Sequence, residues 1–365
     1  LELSHIRKYD IHGLDRRFMR RRNLGDASSF IRDLGSCCSA ILFGSDIVIA
    51  GSKEGVIRAW SIETGQLVFE LELAGPISDL AISEDILYVS CSSNLVAITM
   101  NSGEILWNSS LEGSSDSVVT WNGFIWALSS VYEIDISDYT ESTLWKFNDQ
   151  GSLVKRWSFA EKGWHMGVDE GIVIGMGRPS CGFVRVNEDS VENLPLAVSS
   201  PVTIGCDKSN MTIFGLSDGS ICNSKGELCG RVGESITSLI CLEDGWACGD
   251  RQGLVLRNGT EIDLNREILT LGVGPNGTDL WASVWEDMSS FLSISPDGAY
   301  SEIFEHQERI VVCDFGKGGI AFGDLSGRVF LVEDRFENRF DQENQHLEGQ
   351  ETERNLLRER LRRLR

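Results

Sequence analysis

Short apolar runs recur along most of the chain, and a polar or glycine-containing turn follows each run. Eight of these runs start 34 to 48 residues apart, at residues 47–51, 86–90, 124–127, 172–175, 211–215, 246–249, 280–283 and 320–323. Runs of this length bounded by turn residues are typical of buried β-strands. Eight similar units at this spacing fit four-stranded blades arranged in a ring. We therefore predict an all-β fold, a single β-propeller of about eight four-stranded blades, or of seven if one unit is misassigned.

A tight turn and a second strand follow several of these runs. The turns close on glycine and span residues 51–55, 215–219, 249–253 and 323–327. Glycine recurs there because a short hairpin turn requires positive φ angles, which glycine adopts without steric cost. The pattern therefore indicates one β-hairpin repeated from unit to unit.

A further strand carries a Thr-Gly or Ser-Gly turn followed by an aromatic residue. Residues 59–69 read AWSIETGQLVF, and residues 97–107 read AITMNSGEILW. These segments resemble the tryptophan-docking repeat of the quinoprotein (pyrroloquinoline-quinone-like) β-propellers, with Phe69 in place of the first tryptophan. The resemblance covers residues 36–334, most clearly in the first two units, and implies that Phe69, Trp107 and Trp157 dock between neighbouring blades. The WD-repeat propellers are the neighbouring family, although the sequence contains no Trp-Asp dipeptide and no Gly-His pair.

Ring closure requires a fourth strand for the last unit, because an open blade exposes a sheet edge. We expect this strand at residues 1–7, returning from the N-terminus, or at residues 335–340, next along the chain. The predicted organisation is an N-terminal segment at 1–35, the propeller at 36–340 and an amphipathic helix at 341–365. Five arginines in residues 15–22 are interpreted as part of a loop or short helix over one face.

Charge separates the body of the chain from its ends. The formal net charge is −22, with residues 1–23 at +4 and residues 335–365 at +1, so residues 24–334 carry −27. A body this negative repels polyanions, which argues against nucleic acid or anionic lipid as its main partner. No apolar run approaches the length of a membrane span. Because a chain of this size needs no disulfides, we expect its ten cysteines to be reduced and the protein to be cytoplasmic.

Two glycine motifs resemble catalytic or nucleotide-binding signatures. Residues 215–219 match the Gly-x-Ser-x-Gly nucleophile elbow, and residues 272–277 match the Gly-x-Gly-x-x-Gly dinucleotide motif. Both signatures require a helix after the motif, whereas strand-like residues follow here. We interpret both segments as turns and predict no catalytic residue in them.

The cysteines and histidines suggest no metal site. The adjacent Cys37 and Cys38 resemble the cysteine pair near the cofactor of quinoprotein alcohol dehydrogenases, but no carboxylate and aromatic cluster accompanies them, so we predict no cofactor. Four cysteines at residues 222, 229, 241 and 248 lack the close spacing of zinc knuckles and are interpreted as buried thiols. An acidic insertion at residues 133–149 is interpreted as a solvated loop, with calcium binding as the alternative.

The C-terminal segment follows a helical period. Leu357, Leu361 and Leu364 recur at helical spacing, and Arg358 and Arg362 lie among them. This helix would pack on the acidic body, bind a partner or second copy, or lie on a membrane surface.

A ring of repeats without converging reactive groups predicts a non-catalytic scaffold that binds proteins. The loops after the eight runs and between units would form its binding face. Exposed aromatic and arginine side chains are common anchors of protein contacts. The candidate partner-binding residues are Trp164, His165, Arg178, Arg251 and Trp285. The alternatives are a quinoprotein-like or hydrolytic enzyme that uses the central funnel, and a structural role in envelope assembly.

Overall fold

The computed structural model describes residues 22–188, 190–208 and 211–336. In this part of the chain, eight separate antiparallel sheets of four strands each account for nearly all secondary structure. The prediction of an all-β propeller is therefore confirmed with eight blades, and the seven-bladed alternative is wrong. The predicted C-terminal helix, with Leu357, Leu361 and Leu364, lies outside the described residues.

The first half of the ring follows a short N-terminal lead. The lead consists of helix α1 (Leu24–Ala27) and strand β1 (Phe30–Asp33). Blade 1 contains β2 (Cys38–Phe43), β3 (Ile47–Ser52), β4 (Val56–Ser61) and β5 (Leu67–Glu72), and blade 2 contains β6 (Ile77–Ser83), β7 (Ile86–Cys91), β8 (Asn94–Thr99) and β9 (Ile105–Ser110). Blade 3 contains β10 (Ser114–Trp121), β11 (Phe124–Glu133), β12 (Asp138–Phe147) and β13 (Leu153–Phe159), and blade 4 contains β14 (Gly163–Val168), β15 (Ile172–Met176), β16 (Phe183–Val186) and β17 (Val191–Leu194).

The second half repeats the arrangement. Blade 5 contains β18 (Val202–Lys208), β19 (Met211–Leu216), β20 (Ser220–Asn223) and β21 (Leu228–Arg231), and blade 6 contains β22 (Ile236–Leu242), β23 (Gly245–Asp250), β24 (Leu254–Arg257) and β25 (Thr260–Asp263). Blade 7 contains β26 (Glu267–Val273), β27 (Leu280–Trp285), β28 (Ser289–Ile294) and β29 (Tyr300–His306). Blade 8 contains β30 (Ile310–Gly316), β31 (Gly319–Asp324), β32 (Arg328–Glu333) and the early strand β1.

The first strand of each blade lines the centre of the ring, because it contacts the first strands of both neighbouring blades. The eight predicted runs are the second strands. Strand direction then defines two faces. We call the face with the links between blades and the turns from second to third strand the link face. The opposite face, with the remaining turns, is the turn face.

The core lies between blades and not within them. Every residue of β3 is buried, since both sides of the second strand pack on neighbouring sheets. One apolar cluster joins Ile49 and Ile57 of blade 1 to Ile77, Leu87 and Val89 of blade 2. Outer strands such as β5 alternate between exposed and buried positions. Each blade therefore depends on both neighbours for stability.

The strand that closes the ring is β1. It pairs antiparallel with β32, with Phe30 opposite Leu331 and Asp33 opposite Arg328. The backbone N–H of Leu34 also donates to the carbonyl of Gly327 at 2.8 Å. Closure from the N-terminal side was expected, but the prediction of residues 1–7 or 335–340 as the closing strand was wrong. Residues 1–7 and 337–340 lie outside the described residues.

The aromatic docking predicted between neighbouring blades is confirmed for Phe69 and Trp107. Gly103, at φ 72°, lies against Phe69 of the preceding blade, and a Cβ there would come within 2.9 Å of that side chain. Gly151 faces Trp107 in the same way, and the indole Nε1–H donates to the Asp149 carbonyl at 2.9 Å. Trp157 stacks on Trp126, with ring centroids 5.6 Å apart, beside the cluster that joins blades 3 and 4.

The closing strand repeats this docking, which makes Phe30 a test of ring closure. Phe30 packs against Gly65 of blade 1 and is 6% exposed. We expect Phe30→Ala to lower the free energy of unfolding in urea by about 3 kcal/mol, the usual cost of truncating a buried phenylalanine. Ile31→Ala, in the same strand but 44% exposed, is the control and should change it by less than about 0.5 kcal/mol. Equal small losses in the two variants would contradict closure through β1.

Candidate functional site

All five predicted partner-binding residues lie at the link face. Trp164 and His165 are near the start of β14, and Arg178 lies in the turn between β15 and β16. Arg251 lies in the turn between β23 and β24, and Trp285 ends β27. The prediction that all five lie in loops is confirmed for Arg178 and Arg251 and is wrong for the other three, which belong to strands. The role of all five residues in binding stays a prediction.

The structure brings only two of these residues together. Trp164 packs on the turn that carries Arg178, since a Cβ on the intervening Gly177 would lie 2.8 Å from the indole Nε1. The His165 side chain instead crosses to blade 5, where its Nε2 lies 3.0 Å from Asp207 Oδ2.

The remaining two residues lie on blades 6 and 7. Arg251 is exposed, and Trp285 is half-buried with the Arg309 guanidinium 5.7 Å from its ring centroid. The candidate residues on the link face are thus divided between blade 4 and blades 6 and 7.

A β-bulge explains why Trp164 is exposed although it belongs to an inner strand. In β14 the register with β15 shifts between Gly163 and His165, which leaves Trp164 as the extra residue. All eight first strands carry a bulge at this place, with Ser39, Ser78, Asp116, Trp164, Thr203, Thr237, Leu269 and Val311 as the extra residues. A bulge redirects a side chain out of the pleat. Of these eight residues, Trp164 alone is aromatic.

The insertion in blade 3 forms an extended hairpin, whereas the sequence suggested a solvated loop. β11 and β12 are ten residues long, compared with six for β3 and β4. Four extra residues per strand carry the hairpin roughly 13 Å farther past the link face. The calcium alternative gains no support, because no group of three or more potential metal ligands occurs among the described residues.

Apolar side chains are exposed along this hairpin. Tyr132 is 50%, Ile134 83% and Ile136 59% exposed. The Tyr132 and Tyr139 rings meet edge to face at 5.1 Å, and Tyr139 meets Trp164 of blade 4 at 5.9 Å. We call Tyr132, Ile134, Ile136, Tyr139 and Trp164 the aromatic ledge. Of its members, only Trp164 was predicted from the sequence as a binding residue.

Lys162 holds the two blades of the aromatic ledge together. Its Nζ lies 3.6 Å from the centroid of Tyr139 and 4.9 Å from that of Trp164. The same ammonium group donates to Ser130 Oγ at 3.1 Å and lies 3.5 Å from Asp116 Oδ1. Burial raises the pKa of Asp116, and the Lys162 charge opposes that shift. These contacts fix the rings before any partner arrives.

Carboxylates surround the aromatic ledge. Glu133, Asp135 and Asp138 are exposed on the hairpin, and Glu161 lies at the start of blade 4, where it accepts hydrogen bonds from Ser180. The Lys162 charge is already engaged below the rings. The surface therefore combines exposed apolar groups with negative charge, which suits a partner with apolar and basic side chains.

The inner strands form a second polar region, around the central channel. Their side chains tie adjacent blades: Asp79 Oδ2 accepts from the Val118 N–H at 2.9 Å, and Asp314 Oδ2 accepts from the Phe43 N–H at 2.7 Å. Ser238 Oγ does the same for the Leu271 N–H at 3.0 Å. These channel groups therefore already have structural partners.

Two channel carboxylates carry shifted pKa values. Burial raises the pKa of Asp79 to about 6, against the opposing effect of hydrogen bonds from the Val118 and Leu80 N–H groups. Burial likewise raises the pKa of Asp314 to about 6. Both groups are thus partly protonated in mildly acidic solution.

The fold is similar to solved propellers. BamB from Moraxella catarrhalis matches with a TM-score of 0.62 at 12% identity, over 84% of this chain and 99% of that one. Sqt1 from Saccharomyces cerevisiae matches with a TM-score of 0.67 at 11% identity, over 86% and 99%. The C-terminal WD40 domain of Sif2 matches with a TM-score of 0.62 at 12% identity, over 84% and 99%. At these identities the likeness shows the fold alone, a β-propeller.

Other comparisons add no family. No model of a known protein family matches the chain, and no curated protein matches it in sequence. The resemblance to quinoprotein propellers therefore stays a prediction. In the described part of the chain, no helix is both long and apolar enough to cross a membrane.

The channel carboxylates predict a specific pH dependence of stability. Because their folded-state pKa of about 6 exceeds the ordinary value of 3.8, the folded state holds more protons between these values. Their contribution to the free energy of unfolding should therefore fall as the pH rises from about 4 to about 6. We expect Asp79→Asn/Asp314→Asn to gain stability relative to wild type over this interval, on the order of 1 kcal/mol per site.

Urea denaturation at a series of pH values measures this effect. Ser238→Ala is the control, because Ser238 makes the equivalent tie without a titrating group. Its loss of stability should be the same at each pH. A constant difference between the double variant and wild type would contradict the role assigned to Asp79 and Asp314.

Proposed function

We propose that this chain is a non-catalytic scaffold that binds a protein partner through its link face, with the aromatic ledge as the centre of the interface. The observation that carries the proposal is a patch of exposed apolar side chains, with Tyr132, Ile134 and Ile136 on a hairpin that projects from this face and Trp164 on the neighbouring blade. Exposed apolar groups arranged as a patch mark interaction surfaces more often than scattered ones do. Similarity to a WD40 domain supports the proposal, because propellers of that class generally serve as scaffolds.

The aromatic ledge has the properties of an energetic anchor. Trp and Tyr provide large contact areas and lose little side-chain entropy on binding, and Lys162 already holds two of the rings in place. Arg178 is exposed beside Trp164 and adds a donor at the edge of the patch. Arg251 and Trp285 would extend the interface across the ring.

The chemistry of the partner follows from the surroundings of the aromatic ledge. Exposed carboxylates on the hairpin attract basic groups, and the rings and isoleucines favour apolar ones. We therefore propose that the aromatic ledge binds a protein segment in which aliphatic or aromatic residues alternate with lysine or arginine.

An enzyme that uses the central channel is the second candidate, and the His165–Asp207 pair favours it. A histidine oriented by a carboxylate is a common general base. However, this pair bridges the first strands of blades 4 and 5, as the other channel contacts bridge their blades, and Asp207 also accepts from Thr212 Oγ1. A structural tie accounts for these contacts, and we propose no reaction.

We also propose that the C-terminal segment acts as a separable arm near the turn face. The last described strand, β32, ends at that face, where acidic turns are frequent, with Asp46, Glu84, Asp85, Glu170, Glu243 and Asp244. The arginines Arg358 and Arg362 would be attracted to such a surface, on this molecule or on another.

Deletion of residues 341–365 tests the proposed arm. We expect the melting temperature to change by less than about 2 °C, because closure of the ring does not use this segment. In native mass spectrometry at low salt, we expect the full chain to form a complex that the shortened chain does not form. The complex of the full chain should dissociate at high salt. A large fall in the melting temperature of the shortened chain would contradict the proposal. The same oligomeric state and the same bound partners in both chains would also contradict it.

Selection of peptides from a random display library tests the aromatic ledge directly. We expect the whole chain to enrich peptides that combine apolar and basic residues, and these to bind with 1:1 stoichiometry. Trp164→Ala should weaken binding about 30-fold, the usual effect at an aromatic anchor. Ile134→Asp should weaken it similarly, and this tip residue is too exposed to affect folding.

Tyr300→Ala is the matched control for these variants. Tyr300 is exposed on the outer strand of blade 7, away from the link face, and its loss should leave the affinity unchanged. The proposal fails if the control weakens binding as much as Trp164→Ala does, or if the selected peptides bind all variants equally.

A further inference from the structure

Two reduced cysteines face each other across the seam between blades 5 and 6. Cys206 Sγ and Cys241 Sγ are 2.9 Å apart, on the adjacent inner strands β18 and β22. All ten cysteines are free thiols, and these two are half-buried beside the channel. Cys206 and Asp207 are consecutive in β18 and point in opposite directions, toward blade 6 and blade 4 respectively.

We propose that Cys206 and Cys241 form a redox-sensitive dithiol site that a hydroperoxide closes into a disulfide between blades 5 and 6. The sulfurs need to approach by only about 0.9 Å to reach the length of a disulfide bond. Because the two strands belong to different blades, the bond would join neighbouring units of the ring.

The surroundings give the two thiols different roles. The hydrogen bond between the two sulfurs lowers the pKa of the Cys241 thiol, and the Lys208 charge lowers it further. The same hydrogen bond, together with burial, raises the pKa of Cys206. Lys208 is held nearby, because its Nζ donates to the Leu242 carbonyl. Cys241 is therefore the nucleophile and Cys206 the resolving thiol.

The reaction proceeds in two steps. The Cys241 thiolate attacks the O–O bond of the hydroperoxide, so that an S–O bond forms, the O–O bond breaks and an alcohol, or water from hydrogen peroxide, leaves. The Cys206 sulfur loses its proton and attacks the sulfur of the Cys241 sulfenic acid, which forms the S–S bond and releases water. Two thiols are oxidised by two electrons in total, and one hydroperoxide is reduced.

The other cysteines differ from this pair. Cys37 and Cys38 are adjacent in sequence, but their sulfurs donate to different carbonyls, those of Cys38 and Ala40. Cys229 is exposed on an outer strand and Cys248 is buried. The interpretation of Cys222, Cys229, Cys241 and Cys248 as buried thiols is therefore correct for Cys222 and Cys248 and wrong for the exposed Cys229 and the half-buried Cys241. The thiol that faces Cys241 is Cys206, which lies outside this group of four.

Treatment of the full, reduced chain with a small excess of hydrogen peroxide tests the proposal. We expect the loss of two alkylatable thiols, a mass decrease of two hydrogens, and a reducible cross-link between the peptides that contain Cys206 and Cys241. The melting temperature should rise by about 3–6 °C, since the bond constrains a loop of intermediate length in the unfolded chain. Dithiothreitol should reverse all four changes.

Variants separate this site from general oxidation. Cys206→Ser and Cys241→Ser should each abolish the cross-link and the rise in melting temperature, whereas Cys229→Ser should retain both. The mapping in the wild-type chain decides the question even if a variant folds poorly. A cross-link between other cysteines, over-oxidation of Cys241 to a sulfinic acid without a cross-link, or ten intact thiols would each overturn the proposal.

Discussion

The pairing of β1 with β32 closes the ring, and every blade relies on that closure for its packing. Each sheet buries both of its sides against its neighbours, so the core of the protein consists of the eight seams between blades. A ring without its last outer strand would expose a sheet edge in blade 8 and leave Gly65 of blade 1 without its aromatic contact. Phe30 satisfies both requirements, because it pairs with Leu331 and docks on the blade 1 turn.

A closed ring explains how the link face can present the binding surface that we propose. The seams hold the strands, so the turns and the hairpin of blade 3 can vary without loss of the core. The bulge in β14 turns Trp164 outward, and Lys162 links it to Tyr139 of the neighbouring blade. The channel groups hold the inner strands together, while the hairpin provides exposed apolar side chains and carboxylates. The contacts between blades thus stabilise the ring, whereas the proposed recognition depends on the hairpin of blade 3 and on Trp164.

The repeat was predictable because it depends on local patterns. Apolar runs, turn glycines and aromatic residues four positions after a glycine are all short-range signals, and they located the second strands and the docking of Phe69 and Trp107. The closing strand had a similar signal: Phe30 and Leu34 have the same spacing as Phe69 and Leu73, and as Trp107 and Leu111. It was missed because the residue four positions before Phe30 is Asp26, whereas a turn glycine occupies that position before Phe69 and Trp107.

The aromatic ledge and the thiol pair depend on contacts between blades, which the sequence shows less directly. Tyr132, Ile134 and Ile136 alternate with Glu133 and Asp135, so the apolar side chains of the hairpin were hidden in an acidic segment. The exposure of Trp164 follows from a bulge, and bulges have no simple sequence signature. Cys206 and Cys241 are 35 residues apart and meet only through the register of two inner strands.

Hydrogen–deuterium exchange of the whole chain, with and without a selected peptide, locates the surface that binds. We expect the peptide to slow exchange at residues 131–141, 161–166 and 176–182, the segments that build and support the aromatic ledge. Exchange in the outer strands and at the turn face should remain unchanged. Protection confined to the turn face or to the channel strands, with none on the hairpin of blade 3, would contradict the proposed binding surface.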